Sequence, residues 1–128
     1  MSFYRAHVLV DTGTPAVLKG ALALKTALID EIKKKGVDAI ACVAVNDVFV
    51  MNAWGEQQGA SNKVMMLADG NGELTRALGL EMDATKYGMG KRSQRFSMLV
   101  ENGVVKQLNV EEPGAYVVSS AEYMLKQI

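Results

Sequence analysis

The sequence predicts a single α/β domain. Three observations carry this. A short β-branched run, Ala6 to Val10, is followed by a long helical pattern and then by a near-continuous apolar run, Val37 to Val45. Two further strand-like runs, Phe96 to Val100 and Val104 to Val110, flank a Glu-Asn-Gly turn and read as a hairpin. The chain closes on a helical pattern after Ser119-Ser120. At 128 residues it is long enough for one core and too short for two.

Composition narrows the class. Hydrophobic residues make up 49% and charged residues 22%, the balance of a globular chain. Lys plus Arg and Asp plus Glu are 14 each, which argues against a nucleic-acid or anionic-membrane partner. No apolar run approaches membrane-spanning length, and the start, MSFYRAHVLVDTG, has no basic head with an apolar stretch and cleavage site. The single cysteine, Cys42, cannot form an internal disulfide, so a reducing, cytoplasmic setting is expected.

Each element has its own reason. Ala6 to Val10 ends at Asp11-Thr12-Gly13-Thr14-Pro15, where Thr14 and Pro15 suit the N-cap and first turn of a helix from about Ala16 to Lys35. Val17, Leu18, Ala21, Leu22, Leu24, Leu28, Ile29 and Ile32 give that helix a wide apolar face. Lysines 33 to 35 suit its C-terminal dipole, and Gly36 suits the position past its end. Val37 to Val45 reads as a strand covered on both faces.

Asn46-Asp47 caps a helix to about Gln57, and Val64 to Ala68 is a third strand before the turn Asp69-Gly70-Asn71-Gly72. Glu73 to Leu78 is a short helix closed by Gly79, and Glu81 to Ser93 reads as an irregular connection. In the last helix, Ser119 with Glu122 has capping-box spacing. A βαβ half joined to a β-hairpin-α half is a thioredoxin-like fold, with an insert before the hairpin.

Candidate chemistry is sparse. Arg92 and Arg95 stand three apart at the mouth of the hairpin, where a guanidinium can reach a site built elsewhere; the alternative is a surface pair at a strand end. Cys42 lies mid-strand, and its simplest reading is a buried, inert thiol, because the thiolate is the reactive form. His7 has no second ligand near it by spacing, so no metal cluster and no metal are expected. Asp11-Thr12-Gly13-Thr14 is similar to the nucleophile loop of aspartate-based phosphohydrolases, but the place of their second aspartate holds Gly13. Met65, Met66, Met82, Met89 and Met98 are scattered and read as core and gap-fillers.

Three segments, GVDAIACVAVNDVFVMNAWG (36–55), VMMLADGNGELTRALGLEMD (64–83) and GMGKRSQRFSMLVENGVVKQLNVEEPGAYVVSSAE (88–122), resemble the type II, or fifth-class, peroxiredoxins. The resemblance implies a thioredoxin fold and thiol-dependent reduction of peroxides, with no cofactor. It implies a thiol reductant (glutathione/glutaredoxin or thioredoxin) and a homodimer. It also implies that Arg95 matches the arginine that lowers the peroxidatic thiol's pKa and polarises the peroxide.

The departure lies at the family's Pro-x-x-x-Thr-x-x-Cys. Thr14 and Pro15 fall on its Thr-Pro, and Val17 falls on the peroxidatic cysteine. The preceding loop is shorter than the family's, and the N-terminal hairpin is expected to be missing. Cys42 matches a second, resolving-type cysteine of plant members. Valine has no nucleophilic atom, so by the family's mechanism the chain is expected to be weak or inactive as a peroxidase. Two alternatives stand beside this reading: a non-catalytic binding or regulatory module, or a lone redox thiol at Cys42 with Arg95 and Thr14 around the pocket and Pro15, Val17 and Arg92 lining it.

Overall fold

The computed structural model describes residues 7–11, 28–60 and 62–128. The strands are β1 (His7–Asp11), β2 (Ala39–Ala44), β3 (Met65–Ala68), β4 (Glu81–Asp83), β5 (Lys91–Ser93), β6 (Phe96–Glu101) and β7 (Val104–Val110). The helices are α1 (28–34), α2 (Val48–Gln57), α3 (Glu73–Ala77) and α4 (Ala121–Leu125), with a 3₁₀ turn at Thr85–Tyr87. Thr14, Pro15, Val17 and the expected loss of an N-terminal hairpin lie outside the described residues.

Five strands form one sheet in the order β3-β2-β1-β6-β7. β1 and β2 are parallel, with Val10 opposite Cys42, and β2 and β3 are parallel, with Cys42 opposite Met66. β6 runs antiparallel to both β1 and β7. This is the thioredoxin-like plan: a βαβ half and a β-hairpin-α half share one sheet.

The sheet's two faces bury different sets. Ile40, Cys42 and Ala44 of β2 join Ile29 and Ile32 of α1, Met51 and Trp54 of α2, and Ala121 and Met124 of α4. Val43, one residue out of phase, joins Leu80, Phe96 and Met98. The period of two along β2 therefore divides an almost uniformly apolar strand between two cores. Fully burying a side chain such as Ile32 or Met124 contributes about 2–3 kcal/mol.

Local chemistry sets the boundaries. Asp47 accepts from the Val50 N–H at 2.8 Å and starts α2. α2 buries Met51, Trp54 and Gly55 while leaving Phe49 81% exposed, so its apolar residues do not all face the core. The β6–β7 turn places Asn102 at φ 52° and Gly103 at φ 76°, the double left-handed geometry that favours Asn-Gly. The ladder slips between Leu99 and Val100, a bulge that Asn-Gly spacing alone does not announce.

Two expectations are corrected. Residues 81–93 are not irregular: β4 and β5 pair antiparallel in a small second sheet, with Met82 opposite Arg92. Strands of three residues are too short to show an alternating pattern. The cap of α4 is Ser120, which accepts from the Tyr123 N–H at 3.1 Å, and not Ser119. Ser119 is completely buried and is bonded to Glu111 instead.

Candidate functional site

The hairpin mouth and the segment after β7 build one concave site. A cavity of about 700 Å³ is lined by Arg95 and Gln94, by Met82 and Met89 from the small sheet and its turn, and by the strap from Glu111 to Tyr116. β5 runs into β6 through Gln94 and Arg95, and the Gln94 N–H donates to the Leu80 carbonyl at 2.8 Å. The Glu111 N–H donates to the Arg95 carbonyl at 2.9 Å, so the residue leaving β7 fixes the backbone of the arginine before β6.

The Arg95 guanidinium lies over the Tyr116 ring, 4.8 Å from its centroid. A planar cation on an aromatic face is held without spending its N–H donors. Among the described residues those donors have no hydrogen-bond partner, which suits them to an anion or a polarised oxygen in the cavity. Burial pushes the Tyr116 phenol above its ordinary pKa, and Glu122 and Glu111 push the same way against Arg95. Tyr116 is therefore a neutral phenol across the physiological range.

The strap is fixed by Glu111. Its buried carboxylate accepts from the Val117 N–H, from the Ser119 N–H at 3.0 Å and from the Ser119 hydroxyl at 2.7 Å. Burial alone would raise its pKa, but the donors of Ser119 and Val117 outweigh that and hold it below the usual glutamate value.

Residues 8–125 of the sequence match the Redoxin family. The chain belongs to the Redoxin family. Its relatives within that family include peroxiredoxins. It is 57% identical over 101 residues to Peroxiredoxin-2E-2, chloroplastic, of Oryza sativa, covering 77% of this chain and 45% of that protein. It is 45% identical over 118 residues to the hybrid peroxiredoxin hyPrx5 of Haemophilus influenzae, covering 90% of this chain and 48% of that protein. The chain thus spans about half the length of these curated relatives.

Among solved structures it is similar to reduced Prx3 of Vibrio vulnificus in complex with H2O2, at a TM-score of 0.90 and 48% identity. That similarity covers 96% of this chain and 78% of the Vibrio chain. Peroxiredoxin 5 of Alvinella pompejana is similar at a TM-score of 0.83 and 35% identity, covering 95% and 77%. The type II, fifth-class assignment agrees with these relatives.

In this peroxiredoxin-family chain the two arginines separate. Arg95 lines the cavity, whereas Arg92 does not. Arg92 sits in β5 and donates to the Asn46 side-chain oxygen at 2.7 Å, tying the small sheet to the turn before α2. Its Nε is buried without a hydrogen-bond partner among the described residues. Cys42 is 2% exposed, belongs to the helix-side core and does not line the cavity.

Met82 and Met89, expected as core and gap-fillers, are each about 40% exposed and form cavity wall, while Met98 is core as expected. Tyr116 and Glu111 were not legible as site residues. An aromatic beside a Glu-Glu-Pro-Gly turn was the available signal, and its partner Arg95 is remote in sequence. Among the described residues no group of three His, Cys, Asp or Glu could hold a metal ion. No described helix is long and apolar enough to cross a membrane.

Proposed function

We propose that this chain is a peroxiredoxin-family module that is weak or silent as a peroxide reductase as written, and that keeps the arginine side of the site as a binding module. The observation that carries this is the position of Cys42. The chain's one cysteine is buried in the helix-side core and is absent from the cavity that Arg95 and Tyr116 line.

In thiol peroxidase chemistry the thiolate sulfur takes one peroxide oxygen and the O–O bond breaks. The sulfur becomes a sulfenic acid, and the other oxygen leaves with a proton as water or an alcohol. Arg95 is suited to the developing charge on the leaving oxygen, with the Tyr116 ring fixing the plane of its guanidinium. The attacking sulfur is what this chain lacks there. Cys42 is 2% exposed and stands outside that cavity, and a reactive thiol needs access to its substrate, which weighs against Cys42 as a substitute.

Thr14, Pro15 and Val17 complete the proposed site by resemblance, with Val17 where the nucleophile would stand. Where turnover occurs, the reductant proposed is glutathione/glutaredoxin or thioredoxin, the assembly a homodimer and the setting cytoplasmic. Relatives from rice and Arabidopsis carry chloroplastic names, so cell fractionation decides the compartment.

The test is a coupled peroxide assay with each reductant, on the wild-type chain and on Cys42→Ser. The reading requires both to stay at background. Turnover by the wild type that Cys42→Ser abolishes would instead establish a Cys42-dependent oxidoreductase.

A further inference from the structure

Glu111 takes no part in the chemistry above, yet it holds both sides of the Arg95–Tyr116 contact. Its N–H donates to the Arg95 carbonyl at 2.9 Å. Its Oε2 accepts from Val117 N–H, Ser119 N–H and Ser119 hydroxyl, all just beyond Tyr116. Between those anchors run residues 112–116, every one of which lines the cavity. The strap ends in the ring that lies 4.8 Å from the Arg95 guanidinium.

The contacts close a loop. The Arg95 carbonyl is tied to the Glu111 amide, the Glu111 carboxylate to the amides past Tyr116, and the Tyr116 ring back to the Arg95 side chain. Residues 112–116 belong to no helix or strand; one turn bond, from the Ala115 N–H to the Glu112 carbonyl at 3.0 Å, lies within them, and such a segment loses conformational entropy when it is fixed. Three bonds to one ionised oxygen select a single state of the strap. Among the described residues no hydrogen bond or ion pair holds the Arg95 guanidinium, and the contact that directs it there is the Tyr116 ring.

We infer that Glu111 is the positioning residue of the cavity: through the strap it sets Tyr116, and through Tyr116 it aims the Arg95 guanidinium. The inference deepens the reading of Arg95 as the cavity's cation and is independent of what Cys42 does.

The test is site-resolved modification of arginines by phenylglyoxal, read by peptide mass spectrometry with no peroxide present. Arg92, bonded to Asn46, and Arg76, bonded to the Asn71 carbonyl, are internal references that a general loosening would also move. Glu111→Ala is expected to raise the Arg95 rate about tenfold relative to both references, the scale of losing a bonded buried carboxylate. Tyr116→Ala is expected to do the same, and the double variant to react no faster than Tyr116→Ala alone.

Glu111→Gln keeps an acceptor oxygen without the charge, so a rise of about threefold is expected, absent in the Tyr116→Ala background. An unchanged Arg95 rate in Glu111→Ala, or effects of the two sites that multiply, overturns the inference. Should Glu111→Ala fail to fold by circular dichroism, the Gln pair decides: an unchanged Arg95 rate there overturns it equally. A peroxide-active Cys42 would overturn the proposed function and leave this result untouched.

Discussion

Asp69 and Glu111 do the same local task in two loops. Both are buried carboxylates. Asp69 accepts from the Leu74 N–H at 3.1 Å, the Thr75 N–H at 2.9 Å and the Thr75 hydroxyl at 2.7 Å. Glu111 accepts from the Val117 and Ser119 amides, just past the strap, and from the Ser119 hydroxyl. Each thus captures a backbone N–H and the hydroxyl of one downstream Ser or Thr.

What differs is where the held segment goes. The residues that Asp69 holds open α3, and none of them lines the cavity. The residues that Glu111 holds return Tyr116 to Arg95. The same hydrogen-bonding physics makes a fold element in one place and a site wall in the other. Only the long-range partner tells them apart.

The largest expected effect breaks both loops. Asp69→Ala and Glu111→Ala should each lower stability by about 3 kcal/mol in urea denaturation, because three donors lose a buried acceptor. The comparison fails if either loses less than about 1 kcal/mol.

Acid sharpens the contrast. Burial pushes both carboxyls up, but their hydrogen bonds hold them below the ordinary 3.8 of Asp and 4.5 of Glu. A carboxyl with a lowered folded pKa contributes stability that is complete above its unfolded value and lost as pH falls through the folded one. Stability should therefore hold down to about pH 5, then fall, each group adding up to about 1.4 kcal/mol per pH unit. Glu111→Gln should remove the part of the slope that begins near 4.5, and Asp69→Asn the part that begins near 3.8. Urea midpoints measured from pH 7 to 3 check this.

A smaller effect is expected beneath α4. Asn109 exchanges hydrogen bonds with Gln127 at 2.6 and 3.1 Å and donates to Ser97 at 3.1 Å. Asn109→Ala should cost about 1–2 kcal/mol and speed hydrogen exchange in α4 without raising the phenylglyoxal reactivity of Arg95. Smallest is Lys91→Ala. Its ion pair with Asp83 at 3.0 Å is well exposed, and no change in the urea midpoint is expected.

The fold was legible where a boundary is written in local chemistry. Asp47 before Val48, Asn102-Gly103 between two apolar runs and Gly36 after the lysines each announce a cap or turn within a few residues. Cys42 as a buried thiol was legible for the same reason, since its neighbours on the strand are all apolar. The pairing of β4 with β5 was not, because three-residue strands carry no period.

Ser119 satisfied a capping pattern on paper, but a buried carboxylate eight residues earlier claimed it and left Ser120 as the cap. In the site, Arg95 was legible from its place before Phe96, while Tyr116, Glu111 and the wall of Met82 and Met89 were not. Those residues come together only when β6, β7 and the small sheet have formed, and no spacing in the sequence encodes that meeting.

The measurement that bears most directly on the central claim is stopped-flow oxidation of the purified, reduced chain by hydrogen peroxide, followed by a mass spectrum. A rate no better than that of free cysteine, with Cys42 unmodified, is the predicted result and fits a peroxiredoxin-family cavity without its nucleophile. Fast oxidation that places one oxygen on Cys42 would contradict it, and would mean that the buried thiol reaches peroxide by an opening of the helix-side core.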